Sequence, residues 1–142
     1  MGPENRISEL NAFLKQVANK PFKWGVWDCM IFTNEAFRRM YGEGWADGLL
    51  NRYMSGIRPM TWPQIQQEYG FDKMEEILRE RLQRSYDVPP RGALVTSSDK
   101  FLNGASLGFG FGISVGSSAA FLSDEGVVYY PIEYIDSAWV KE

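Results

Sequence analysis

The run V-P-P-R-G from Val88 to Gly92 divides the chain into two regimes, and no other feature limits its fold so sharply. Two adjacent prolines each remove a backbone donor, and a residue before proline is driven out of the helical region. No regular helix crosses this point. The text before it carries helical periodicity, interrupted by one long loop; the text after it reads as strand and turn. Helices first and an antiparallel sheet after them make an α+β layout. The 142 residues suffice for one domain, residues 1–142, with a helical half over 6–84 and a sheet half over 93–140.

In the helical half, Leu10, Phe13, Leu14 and Val17 recur at i, i+3, i+4, i+7, which predicts an amphipathic helix from about Arg6 to Asn19, closed by Pro21. A second helix runs from Cys29 to Tyr41 and stops at Gly42. Cys29, Phe32, Thr33, Ala36, Phe37 and Met40 share one stripe; Asn34, Glu35, Arg38 and Arg39 share the other. Residues 44–60 are irregular and too long for a simple connection, which suits a functional or interaction loop. Its aromatics Trp45 and Tyr53 are candidate partner anchors, or pins that hold the loop to the core. Thr61 with Gln64, and Asp72 with Glu75, are capping-box starts for two further helices. The first ends near Tyr69 and Gly70. The second turns Met74, Ile77, Leu78 and Leu82 inward and leaves a solvated face of Glu75, Glu76, Arg79, Glu80, Arg81 and Arg84.

In the sheet half, strands are expected at Ala93 to Thr96, Leu107 to Val115, Ala119 to Leu122, Val127 to Tyr130 and Ala138 to Val140. The second of these, L-G-F-G-F-G-I-S-V-G, puts Leu107, Phe109, Phe111, Ile113 and Val115 on one side. Gly108, Gly110, Gly112, Ser114 and Gly116 take the other. Glycine weakens a strand unless another surface must come close. The helix of Cys29 is the expected surface, with an incoming partner chain as the alternative.

Composition removes several classes of function. A net charge of −3 without a basic block argues against a nucleic-acid partner. One cysteine and no histidine exclude a disulfide framework and Cys/His zinc sites, and no calcium-loop spacing occurs, so no metal or other cofactor is expected. The start M-G-P-E-N-R lacks the regions of a signal peptide, and Arg6 stands where a myristoylation signal needs Ser or Thr. No stretch reaches the roughly 18 apolar residues of a membrane span. These features predict a protein made in the cytoplasm and kept or assembled there.

The remaining chemistry gathers at F-K-W-G-V-W-D-C-M-I-F, residues 22–32. Asp28 is a good N-cap, and it places the lone Cys29 at the first helical position, where the helix dipole favours a thiolate. The same stripe also makes Cys29 a plain core residue, since free cysteine packs as a small hydrophobe.

These segments resemble the papain-like fold of NlpC-type cell-wall peptidases, and more closely a branch of that superfamily found among phage tail-assembly proteins. W-G-x-x-D-C resembles the motif that holds the nucleophile at a helix start; R-G-A-L-V resembles the strand after the helical half. F-G-I-S-V-G, A-A-F-L and A-W-V resemble the hairpin and closing strand. The resemblance implies Cys29 at the nucleophile position, Asp28 as its capping acid and Gly110 where the peptidases carry their general-base histidine. The usual aspartate after Gly92 is Ala93. A base must complete the thiolate pair and then protonate the leaving amine, and a helix end delivers no proton.

The resemblance therefore implies a catalytically degenerate domain, a structural component of a phage tail tip, with other tail-tip proteins as partners and the virion tail as its location. Two alternatives stand beside it. One is a cysteine peptidase or amidase acting on peptidoglycan during infection, with Asp99, Asp124, Glu125 or a partner's histidine as acid/base. The other is an assembly factor absent from the mature particle.

Overall fold

A computed structural model describes residues 3–23, 26–49, 54–55, 58–59, 71–98 and 110–141. Apolar spacing builds its helical layer. Helix α1 is Pro3–Gln16, a few residues N-terminal of the predicted span, and it buries Leu10, Phe13 and Leu14. A proline suits that start, because its missing N–H would have no intrahelical partner there. Helix α2 is Cys29–Tyr41, as its spacing predicts, and it buries Phe32, Thr33, Ala36, Phe37 and Met40. Gly42 ends it in the left-handed region at φ 83°, with its N–H donating to the Arg38 carbonyl. Asn34, expected on the solvent side, is also fully buried. Helix α3 is Phe71–Arg81 and turns Met74 and Leu78 inward, with Leu82 just beyond it. On its outer face Arg79 pairs with Glu75 at 2.9 Å, one turn away.

Strands β1 (Met54–Ser55) and β2 (Arg58–Pro59) pair antiparallel inside the long loop. Tyr53, Asp99 and the helix expected from Thr61 to Tyr69 lie outside the described residues.

The second layer is an antiparallel sheet of six strands: β3 (Gln83–Ser85), β4 (Leu94–Ser97), β5 (Gly110–Ser114), β6 (Ser118–Ser123), β7 (Gly126–Pro131) and β8 (Ser137–Val140). Their order across the sheet is β3-β8-β4-β5-β6-β7, and a 3₁₀ turn at Ile132–Tyr134 joins β7 to β8. Five strands fall where the sequence puts them. The sixth, β3, is not expected: Q-R-S has no apolar alternation, and its strand character comes from pairing with β8, Arg84 opposite Trp139.

Each strand divides its side chains between two faces. Leu94, Phe111, Ile113, Ala120, Leu122 and Trp139 pack with the helices in one core. Val95, Ala119, Phe121 and Ala138 form a second cluster, with Val128, Tyr130, Ile132 and Ile135 against it. This assigns the glycine face of β5. A Cβ on Gly112 would lie 2.7 Å from the Ala120 carbonyl oxygen and from the Phe121 ring, in the second cluster. The sequence predicts α2 against the glycine face, but Gly112 turns away from it, and Phe111 and Ile113 pack with the helices instead; Leu107, Gly108 and Phe109 lie outside the described residues. The close approach that requires glycine is made by the neighbouring strand β6, so the physical reason for glycine holds while the neighbour differs.

Candidate functional site

The approach to α2 is a tight turn. Lys23 N–H donates to the Trp27 carbonyl at 2.9 Å and Trp27 N–H to the Lys23 carbonyl at 2.8 Å. The Trp27 ring is held between Phe13 and Phe32, at centroid distances of 6.3 and 6.1 Å, with the Lys20 ammonium 4.1 Å from its centre. Asp28 follows in extended conformation, fully buried, and its Oδ1 accepts from the Ile31 N–H at 3.0 Å. The N-cap is the one the sequence predicts.

Cys29 takes the first helical position but not the thiolate state expected there. The side chain is 3 % exposed, and burial pushes its pKa from the ordinary 9.0 up to about 12. The Asp28 carboxylate next to it adds to the rise. Backbone hydrogen bonds from Phe111, Cys29 and Met30 pull the other way and are outweighed. Desolvation of the anion wins over the helix end, because a buried thiolate loses its water while the helix supplies only partial charges. At neutral pH the sulfur is a thiol.

Across from the sulfur stands backbone. Phe111 brings its amide to Cys29 and its ring to Trp45, 5.0 Å away. Gly110 begins β5 opposite Ser97, and strand alternation sends it to the face of Gly112, away from α2. Asp124 and Glu125 lie exposed in the β6–β7 turn, and neither is among the groups that perturb Cys29. Among the described residues, no cluster of three His, Cys, Asp or Glu could hold a metal.

Trp45, a candidate partner anchor, is buried at 3 % exposure. Its Nε1 donates to Thr33 Oγ1 at 3.0 Å, and Thr33 Oγ1 donates to the Cys29 carbonyl at 2.8 Å. Trp45 therefore fills space beside the Cys29 helix and offers no docking surface. Asp47 fixes the loop that delivers it. Its carboxylate accepts from Asn34 Nδ2 at 3.0 Å, Gly44 N–H at 3.0 Å and Arg38 Nε at 3.1 Å. These donors, the Asn34 amide foremost, hold its pKa below the ordinary 3.8. Asn34 Oδ1 accepts from Ala46 N–H at 2.7 Å, and Arg81 Nη1 ties down the Trp45 and Asp47 carbonyls at 3.0 and 2.8 Å. Sequence reasoning placed Asn34 and Arg81 on solvent faces; Arg81 is exposed there, while Asn34 is fully buried. The signal it missed is that the backbone of a W-A-D turn needs side-chain partners from the helices beside it.

The fold and site define an α+β domain with one buried thiol at a capped helix start, facing a backbone amide. The chain belongs to the family described as "Domain of unknown function (DUF6950)", whose model matches residues 4–140. No curated protein matches it. Among the described residues, no helix is long and apolar enough to cross a membrane.

Proposed function

We propose that this chain is a papain-like domain without cysteine-peptidase activity that serves as a structural component of a phage tail tip. One observation carries the non-catalytic part: the Cys29 sulfur is buried, protonated at neutral pH, and met by the Phe111 amide where acyl transfer needs a base. Among the described residues, no group at that position takes a proton from the thiol or returns one to a leaving amine. The helix-then-sheet order, with Cys29 opening a helix packed on the sheet, supports the papain-like assignment. The tail assignment rests on the resemblance of residues 22–32 and of the R-G-A-L-V and F-G-I-S-V-G strands to tail-assembly proteins.

Mass spectrometry of purified virions, beside a turbidity assay on cell walls with wild type and Cys29→Ala, tests both parts. The expected result is the chain present in finished tails and no Cys29-dependent loss of turbidity. A loss that disappears with Cys29→Ala makes it a peptidoglycan hydrolase. Absence from finished particles, with tails that fail to form in its absence, makes it an assembly factor.

A further inference from the structure

The two edges of the sheet are treated differently. On β7 the Val127 N–H is taken by the Ala18 carbonyl at 2.9 Å, and Pro131 has no N–H to offer. Antiparallel alternation leaves Tyr129 as the one outward donor between them. That edge is guarded in the usual ways, by a covering segment and a proline.

Edge β3 is open. Asp136 N–H donates to the Thr96 carbonyl and Ser114 N–H to the Ala93 carbonyl, which sets the phase of the ladder. Thr96 and Leu94 then face β8 through Ser137 and Trp139, and Ala138 and Val140 turn to Ser85 and Gln83. Arg84 is left with its N–H and C=O pointing outward, with no partner among the described residues. Tyr86 follows in the same phase.

A groove of about 220 Å³ lies alongside, lined by Ser85, Tyr86, Asp87, Ile132, Ile135 and Asp136 among others. Among the described residues, three of the five large apolar side chains that stand exposed line it or directly adjoin its lining residues in sequence: Tyr86 (79 %), Val88 (78 %) and Tyr134 (53 %). Its charge is one-sided. Asp87 and Asp136 line it, Glu133 is exposed in the adjoining 3₁₀ turn, and the one cation among the described lining residues, Arg84, is engaged. The Arg84 guanidinium lies 5.4 Å from the Trp139 ring centre and 5.0 Å from that of Tyr86, with Nη1 3.4 Å from Glu75.

We infer that the β3 edge and this groove form a docking surface for an extended segment of another protein, which adds a strand beside Arg84 and Tyr86. An outward N–H and C=O on a strand are best matched by another strand. The exposed aromatic and aliphatic rim calls for apolar side chains at alternate positions, and the acidic rim for lysine or arginine between them. Because the edge is short, side chains in the groove supply most of the affinity. The inference rests on the edge and its charge and is independent of the tail assignment.

Selection from a display library of random short peptides tests it on the full chain. Selected peptides should alternate apolar and basic residues. The Arg84 amide should gain protection from hydrogen exchange in the complex. Tyr86→Ala and Val88→Asp should each weaken binding about tenfold, in the range of interface aromatic truncations. Asp87→Lys should weaken it as well, and Val26→Asp, at an exposed site on another part of the surface, should not. All four residues are exposed, so the variants keep the fold. Failure to select any peptide, or binding without protection at Arg84, overturns the inference. Protection at Arg84 that rises with protein concentration and no peptide makes the occupant a second copy, and also overturns it.

Discussion

Alkylation of Cys29 in the folded chain should be about a thousandfold slower than in the unfolded chain at pH 7.5. The thiolate is the reacting species, so its population sets the rate. With the pKa at about 12 in place of 9.0, that population falls by three powers of ten at any pH well below both values. A side chain only 3 % exposed adds steric exclusion in the same direction. Reaction through global unfolding offers no faster route, because a domain stable by about 5–15 kcal/mol opens less than once in roughly a thousand. The assay is alkylation by iodoacetamide, followed by mass spectrometry in buffer and in concentrated guanidinium. A native rate within tenfold of the denatured one refutes the reasoning, since it requires an accessible and ionised sulfur.

The same burial makes stability depend on pH at the alkaline end. The folded pKa lies above the unfolded one, so the contribution is complete below about pH 9 and is lost as pH rises toward about 12. Relative to Cys29→Ala, which removes the titration of other groups by difference, wild type should lose roughly 1.4 kcal/mol per pH unit in that window; equal slopes in denaturant melts would reject the assignment. Histidine placed at the two neighbouring β5 positions should separate the faces of that strand. Phe111→His should lower the pH at which the thiol reacts, at a cost in stability of about 3 kcal/mol, whereas Gly110→His should leave the profile of alkylation against pH unchanged. In Gly44→Ala the new methyl would lie 2.0 Å from Asn34 Oδ1, and displacing Asn34 from Ala46 and Asp47 should cost about 2–3 kcal/mol, read as a lower Tm. Asp47 has a depressed folded pKa, so its stabilisation is present above about 3.8 and fades as pH falls below it; Asp47→Asn should melt with a flatter pH dependence over that acidic range.

Much of the fold was legible because its elements carry local signals. The stripe of α2, its Asp28 cap and its Gly42 stop all lie within one short segment, and the structure repeats them. Strands β4 to β8 follow from alternation and from the break at Val88 to Gly92. What stayed hidden depends on pairing. Q-R-S becomes β3 only because Ala138 and Val140 face it, and the glycine face turns from α2 because Phe121 fills the space above Gly112. The site was half legible. Sequence located the cysteine and the missing histidine, but the protonation state of Cys29 is decided by burial, which outweighs the Phe111 amide and which no spacing reports.

The seam between Ala18 and Val127 has a consequence for how the chain must be made. Ala18 leaves the ribosome well before the strand it seals, and Gly126 is threaded so close to Ala18 that a methyl there would sit 2.2 Å from its carbonyl oxygen. Until that late closure, β7 is a naked template for pairing with other molecules. Shortening the N-terminal helix should therefore show first as aggregation of nascent or refolding chains, before any loss in the equilibrium stability of those that succeed.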